Sequence, residues 1–175
     1  MALIVETGAI VAGAESLCSV ATADTYHSDR ANTAWAALTT PNKEAYLRRA
    51  TEYMTATYRK RWKGVRMSSA QTLDWPRGYV YLEPVITGAN QSFPNLVASN
   101  IVPVEAQRAC AELALKASSA DLLADLSQGV KSKKVGPIEI TYDERSPQTK
   151  RYVAVDRMLK PYLSGSDSML KVVRA

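Results

Sequence analysis

Several residue types that carry chemistry are scarce in this sequence. There is one histidine, one phenylalanine and two cysteines. A metal centre needs clustered His, Cys or carboxylate ligands, and one His with two distant Cys does not make one. Cys18 and Cys110 lack metal-ligand spacing and sit among small or apolar residues. They read as two reduced, buried thiols in a reducing cytosol, with a disulfide as the lesser alternative. His27 is followed by Ser28 and Asp29. Adjacent residues do not share a helix face, so no Ser-His-Asp arrangement follows, and an exposed or half-buried imidazole is expected. No glycine loop of the phosphate-cradling type is present. Asp121 and Asp125, at i and i+4, read as acids on a solvated helix. No run of 18 apolar residues offers a membrane-spanning helix. The apolar start, Met1–Ala14, contains Glu6 and neither Lys nor Arg, which argues against a secretory leader despite Ala12-Gly13-Ala14. The expectation is a protein that is not an enzyme, with no cofactor, no metal and no membrane partner.

What is present is ordinary globular material. The 175 residues are 46% hydrophobic and 22% charged, and mean hydropathy is −0.19. A chain of this size buries about 70% of its unfolded surface, enough for one real core. The charge is unevenly placed. Residues 1–128 hold 12 basic and 12 acidic side chains, whereas residues 129–175 hold 10 and 5. The whole net charge of +5 therefore lies in the last quarter. This is either a solvated face or a surface for an acidic partner.

Periodicity and capping signals give a mainly α fold: a small helical bundle with a short β-strand or hairpin element and extended N- and C-terminal arms. Residues 1–18 read as an arm, β-prone at Leu3-Ile4-Val5 and broken by Gly8 and Gly13. It packs on its own domain or on a neighbouring subunit. A helical domain follows over 19–163. Ser19 caps a helix over 20–31, with Val20, Ala23 and Tyr26 on one face. Thr33 caps a turn over 34–38. Thr40-Pro41 starts a long helix to Tyr58 whose stripe is Tyr46, Ala50, Tyr53, Met54 and Thr57. Ser69 caps a short helix over 70–74, stopped by Trp75-Pro76-Arg77-Gly78. Residues 78–102 read as a long loop, with Pro84, Gly88, Asn90 and Pro94. Pro103 opens a second strong helix to 118, with Ala106, Cys110, Leu113 and Ala117 on one face. Residues 121–126 add a turn or two. Val135, Ile138, Ile140 and Tyr142 alternate as a strand, paired in a hairpin with 130–135. A helix over 150–160 turns Tyr152, Val155, Met158 and Leu159 inward and ends at Pro161. Residues 164–175 form a tail.

The densest functional signal is basic and aromatic together. Arg59, Lys60, Arg61, Lys63 and Arg66 surround Trp62, with Gly64 ending the helix. The cations fit phosphates and the indole fits a base face. The competing reading is that Trp62 and Trp75, placed where helices end, seal the core. Both readings stand at this level.

The order of several short motifs resembles one protein family. They are Val5-Glu6-Thr7-Gly8, Gly13-Ala14-Glu15-Ser16, Ser19-Val20-Ala21, Trp35-Ala36, Arg48-Arg49-Ala50-Thr51-Glu52-Tyr53, Arg61-Trp62-Lys63-Gly64 and Leu73-Asp74-Trp75-Pro76-Arg77. Later come Ile101-Val102-Pro103-Val104, Ala109-Cys110-Ala111-Glu112-Leu113-Ala114, Lys134-Val135-Gly136-Pro137-Ile138-Glu139 and Val153-Ala154-Val155-Asp156. Together they resemble the head–tail connector, or head-completion adaptor, of siphophages, over about residues 3–163. Some members of that family carry the label DnaT-like single-stranded DNA-binding protein. Leu17 stands where the family usually has an aromatic residue, and 164–175 has no counterpart.

The resemblance implies a mainly helical ring subunit, usually one of twelve, below the portal in the neck of the virion. Such a ring extends the channel for genomic DNA and docks a stopper or tail-terminator protein. It would assemble in the bacterial host cytoplasm without cofactor or catalysis. The strand around Val135, Ile138, Ile140 and Tyr142 is then a candidate for pairing with an adjacent subunit or the portal. Lys131, Lys133, Lys134, Lys150 and Arg151 are candidates for an acidic portal surface. The other reading is a single-stranded DNA-binding replication protein using Trp62 and Arg59–Arg61.

Overall fold

The computed structural model describes residues 2–86, 92–124, 132–135, 138–141 and 151–165. It is mainly helical. The helices are α1 (Val20–Ser28), α2 (Thr33–Ala36), α3 (Thr40–Tyr58), α4 (Val104–Ala117) and α5 (Val153–Leu159), followed by a 3₁₀ turn at Lys160–Tyr162. The strands make three separate antiparallel pairs: β1 (Val65–Arg66) with β2 (Arg77–Gly78), β3 (Tyr81–Ile86) with β4 (Ser92–Leu96), and β5 (Ser132–Val135) with β6 (Ile138–Thr141). Among the described residues, no helix is long and apolar enough to cross a membrane.

The centre is α3 against α4. Leu47, Ala50 and Met54 of α3 are buried, as are Ala106, Ala109, Cys110, Leu113 and Ala114 of α4. The small residues of α4 let neighbouring helices approach closely, and interiors of this kind are close-packed. Tyr58 at the end of α3, rather than the exposed Thr57, faces inward with Leu47 and Thr51. Of the expected stripe, Ala50, Tyr53 and Met54 are buried and Tyr46 packs partly against the core, whereas Thr57 is exposed. On α4 the expected face is buried throughout.

Caps explain several boundaries. The Ser19 hydroxyl accepts from the Thr22 N–H at 3.0 Å, as its position predicts. Helix α1 ends at Ser28, short of residue 31, because Ala31 takes a left-handed conformation at φ 53°. The capping position of α2 is Asn32, not Thr33, and that of α3 is Thr39, one residue before the hydroxyl expected to cap it. Neither makes a side-chain cap bond.

Four expectations are corrected. Residues 70–74 form turns, not a helix. The Gln71 side chain takes the local backbone groups instead: its amide donates to the Leu73 and Pro76 carbonyls and its oxygen accepts from the Met67 N–H. Residues 121–124 are likewise turn and coil. The 78–102 segment is not a long loop. It contains β2 and the β3–β4 hairpin, in register Tyr81↔Leu96 and Val85↔Phe93, with an irregularity between Leu82 and Val85. Prolines that read as loop are tolerated because each strand of a two-stranded ladder keeps one outer edge and the register slips beside Pro84. Pro161 does not end the last helix but sits inside the 3₁₀ turn that continues it.

A β5–β6 hairpin forms, with Lys133 opposite Ile140. Val135 does not share a strand with Ile138 and Ile140 as expected: it ends β5 and pairs across the ladder with Ile138, the sequence between them being the strand-breaking pair Gly136-Pro137. Tyr142, and positions 136–137, lie outside the described residues.

Candidate interaction surfaces

The aromatic core column decides the role of the tryptophans. Rings of Tyr58, Trp62, Trp75 and Tyr162 follow one another at 5.9, 5.6 and 5.8 Å between centroids, mostly edge to face. Trp62 is 5% exposed and Trp75 is 0% exposed. Both seal the core, and neither ring is open to a base. Tyr58 donates to Asp156 at 2.7 Å and Tyr162 donates to Glu105 at 2.6 Å. Burial, first, and these carboxylates, second, push both phenols above the usual tyrosine range.

Trp75, Pro76 and Arg77 are structural as a unit. The Trp75–Pro76 peptide is cis. Arg77 is buried, and its guanidinium donates to three carbonyls: Lys63 at 2.8 Å, Gly64 at 2.8 Å and Asp74 at 3.2 Å. A planar fork suits such multiple acceptors. Burial lowers the Arg77 pKa from its ordinary value, while nearby Asp74 pulls it back up. Gly64 is required in this lock. Its φ is +66°, and a Cβ there would lie 2.1 Å from the Gly78 carbonyl oxygen.

The basic residues divide accordingly. Arg59 donates to the buried Asp74 at 2.9 Å. The Arg61 guanidinium lies 5.7 Å from the centre of the Tyr58 ring. Lys63 Nζ donates to the Tyr81 carbonyl at 3.1 Å, and Arg66 donates to the Gln71 carbonyl at 3.1 Å. Lys60 and Arg66 are exposed, and Lys63 is half-buried. Beside them lies an apolar surface that sequence reading missed: Val65, Met67, Tyr79, Tyr81 and Leu96 are all exposed large side chains. Its signal was Tyr79-Val80-Tyr81, whose alternation was hidden by the glycine and prolines around it.

A second exposed apolar group lies at the N-terminal segment. This segment lacks a helix, as expected, but it folds back on itself and docks on its own domain. Val5 bridges Ser16, and the Glu6 N–H donates to the Ser16 carbonyl at 2.9 Å. The Glu6 carboxylate, 2% exposed, accepts from the N–H groups of Gly8 (2.8 Å), Ile10 (3.1 Å) and Val11 (2.9 Å). Ala14, Leu17 and Cys18 enter the core. Gly8 lies so close to Asn100 that no side chain would fit, its virtual Cβ being 2.0 Å from the Asn100 oxygen. Ile10 sits at φ +59°, and it is exposed together with Ile4, Ile101 and Val104.

A family model described as "Putative DnaT-like ssDNA binding protein" matches residues 1–175. The chain belongs to this DnaT-like family. No curated protein and no solved structure matches it. The family's description names single-stranded DNA and no head or tail component.

The remaining candidates in this DnaT-like chain fall as follows. His27 is not exposed but buried, 1% accessible. Its Nε2 meets the Ala111 carbonyl at 3.1 Å and its Nδ1 meets the Asn32 amide at 3.0 Å. A carbonyl only accepts and the amide nitrogen only donates, so the ring is neutral with its proton on Nε2. Burial, the largest effect, holds its pKa below the usual histidine value. Cys18 and Cys110 are free and buried, and burial raises both thiols. Lys133 and Lys134 lie on β5, and Arg151 is exposed and within 3.7 Å of Asp156. Lys131 and Lys150 lie outside the described residues. Among the described residues, no group of three His, Cys, Asp or Glu is placed to hold a metal.

Proposed function

We propose that this DnaT-like chain is the head–tail adaptor of a tailed phage, a structural ring subunit of the virion neck. In this reading it binds copies of itself, the portal on one side and a stopper or tail terminator on the other. Genomic DNA passes through without sequence reading. The role is mechanical and needs no cofactor.

The observation that carries the reading is the Glu6-locked loop. It holds Ile10 in a conformation that a β-branched residue rarely adopts, beside exposed Ile4, Ile101 and Val104. Strain of this kind is kept where a surface has work to do. A ring joins one face of a subunit to a different face of the next. The outer edges of β5 and β6 offer such a second face, since each strand has one partner only among the described strands. The ordered motifs that resemble head–tail connectors add support, because Trp62, Gly64 and Trp75–Arg77 form one interlocked unit.

Quantitative mass spectrometry of purified virions tests the proposal. About a dozen copies per particle, a closed-ring stoichiometry, is the expected result. Absence from intact virions would reject it. Within the particle, Ile138→Pro with Ile140→Pro should abolish assembly while helicity stays intact. Reversing Lys131, Lys133, Lys134, Lys150 and Arg151 should stop portal binding, and salt should weaken it in the unaltered chain.

The family description favours a second reading, a single-stranded DNA-binding protein acting in replication. Low-micromolar or tighter affinity for an oligonucleotide, with steep salt dependence, would favour it. Weak generic affinity accompanies the adaptor reading.

A further inference from the structure

Tyr79 stands alone in its stretch of chain. Residues 73–78 and Val80 are all buried, whereas Tyr79 is 73% exposed. Its φ is +58°, a left-handed conformation that costs a bulky L-residue energy. The lock beneath it is the Arg77 guanidinium and the Gly64–Gly78 contact described above. Two residues on, Tyr81 is 50% exposed. Lys63 reaches the Tyr81 carbonyl, and Arg66 pairs across the ladder with Arg77, one step from Gly78. The flanking apolar side chains are Val65 and Met67. Two acids, Glu83 and Glu105, and two bases, Lys63 and Lys160, line a cleft of about 700 Å³ that Lys63 shares with this face, and Glu105 is held by the Tyr162 hydroxyl.

We infer that Tyr79 and Tyr81, flanked by Lys63 and Arg66, form a stacking site for single-stranded nucleic acid. Two exposed tyrosines on a segment that Lys63 and Arg66 adjoin match unpaired bases joined by phosphates, since every base has a π face for a ring. Paired bases hide those faces, so a duplex engages the cations alone. Tyr, Met and Arg are also favoured where proteins meet, so self-association is measured beside DNA binding. The inference gives the single-stranded DNA reading its site and moves that site away from Trp62. It stands apart from the adaptor reading, since virion copy number does not depend on it.

Fluorescence anisotropy of a labelled twenty-residue oligodeoxythymidylate against the full chain tests it, at low salt and then along a salt series. The unaltered chain should bind it more tightly than a matched duplex. Tyr79→Ala with Tyr81→Ala should weaken binding about tenfold or more. The two Phe replacements, which keep the rings, should bind normally. Lys63→Glu with Arg66→Glu should weaken binding and flatten the salt slope, and Glu83→Gln should tighten it. Circular dichroism melts establish that each variant is folded. Tyr79→Gly gives an independent handle, because it relaxes the backbone and should melt higher yet bind worse. Affinity unchanged in the double alanine variant would overturn the inference, as would equal affinity for duplex. Loss of self-association in sedimentation with DNA binding unchanged would assign the face to a second copy of the chain and overturn it as well.

Discussion

Two loops of this chain solve the same problem with opposite charges. In the N-terminal loop a buried carboxylate, Glu6, gathers three N–H groups from Gly8, Ile10 and Val11. In the Trp75-Pro76-Arg77 turn a buried guanidinium gathers three carbonyls from Lys63, Gly64 and Asp74. Each lock holds one large apolar residue outward at positive φ, Ile10 in the first and Tyr79 in the second. The difference is span. Glu6 binds groups within five residues of itself, so it shapes a local loop. Arg77 binds groups up to fourteen residues away, so it joins two segments. A charge that reads local backbone makes a shape, and one that reads distant backbone holds a domain together.

The comparison predicts unequal damage. Arg77→Leu leaves three carbonyls without their donor and should cost about 3–5 kcal/mol, read as a lowered urea midpoint. Arg77→Lys should recover little, because an ammonium cannot span three acceptors as the fork does. Gly64→Ala, forced against the Gly78 carbonyl, should match it in direction. Glu6→Gln comes next, at about 2 kcal/mol, with faster hydrogen exchange confined to residues 8–11 and the helices unaffected. Equal global losses from Glu6 and Arg77 would break the distinction between a shaping and a joining lock. Smaller and opposite in sign, Tyr79→Gly should stabilise by about 1 kcal/mol through relief of the left-handed backbone.

His27 lies outside both locks and provides the smallest effect. Its folded pKa is depressed by burial, with Arg30 pushing the same way and the Ala111 carbonyl, Glu112 and Asp24 opposing. Below the ordinary value of 6.5 the unfolded chain takes up a proton that the folded chain resists. Stability should therefore be whole above pH 6.5 and fall as pH drops below it. Urea midpoints between pH 7.5 and 5.5 measure this, and His27→Gln should flatten the slope. If the slope persists in that variant, another group carries it.

Much of the helical frame was legible in the sequence. Ser19, Thr40-Pro41 and Pro103 each mark a helix start within a residue or two, because caps are local chemistry. The alanine-rich face of α4 was legible for the same reason. The β3–β4 hairpin was not. Pro84 and Pro94 mark loops in most settings, and only a free strand edge makes them acceptable. His27 looked solvated because its neighbours in sequence are polar, while the groups that bury it, Trp35 and Ala111, come from elsewhere. In the site, the cations were legible but their aromatic companions were misassigned. Trp62 stands among the cations in sequence yet turns inward, and Tyr79, at positive φ between buried Gly78 and Val80, turns outward.

The closure at the end of α3 also bears on how the chain is made. Trp62 bridges Leu163, the Lys63 N–H donates to the Tyr162 carbonyl, and the Ser164 N–H donates to the Arg61 carbonyl. These pairings join segments about a hundred residues apart, so the loop-closure entropy falls due late in folding. A nascent chain still being translated holds Trp62 and Trp75 without their Tyr162 partner. The aromatic column is then open to chaperones, and to other nascent chains on the same message, until residues 159–164 leave the ribosome.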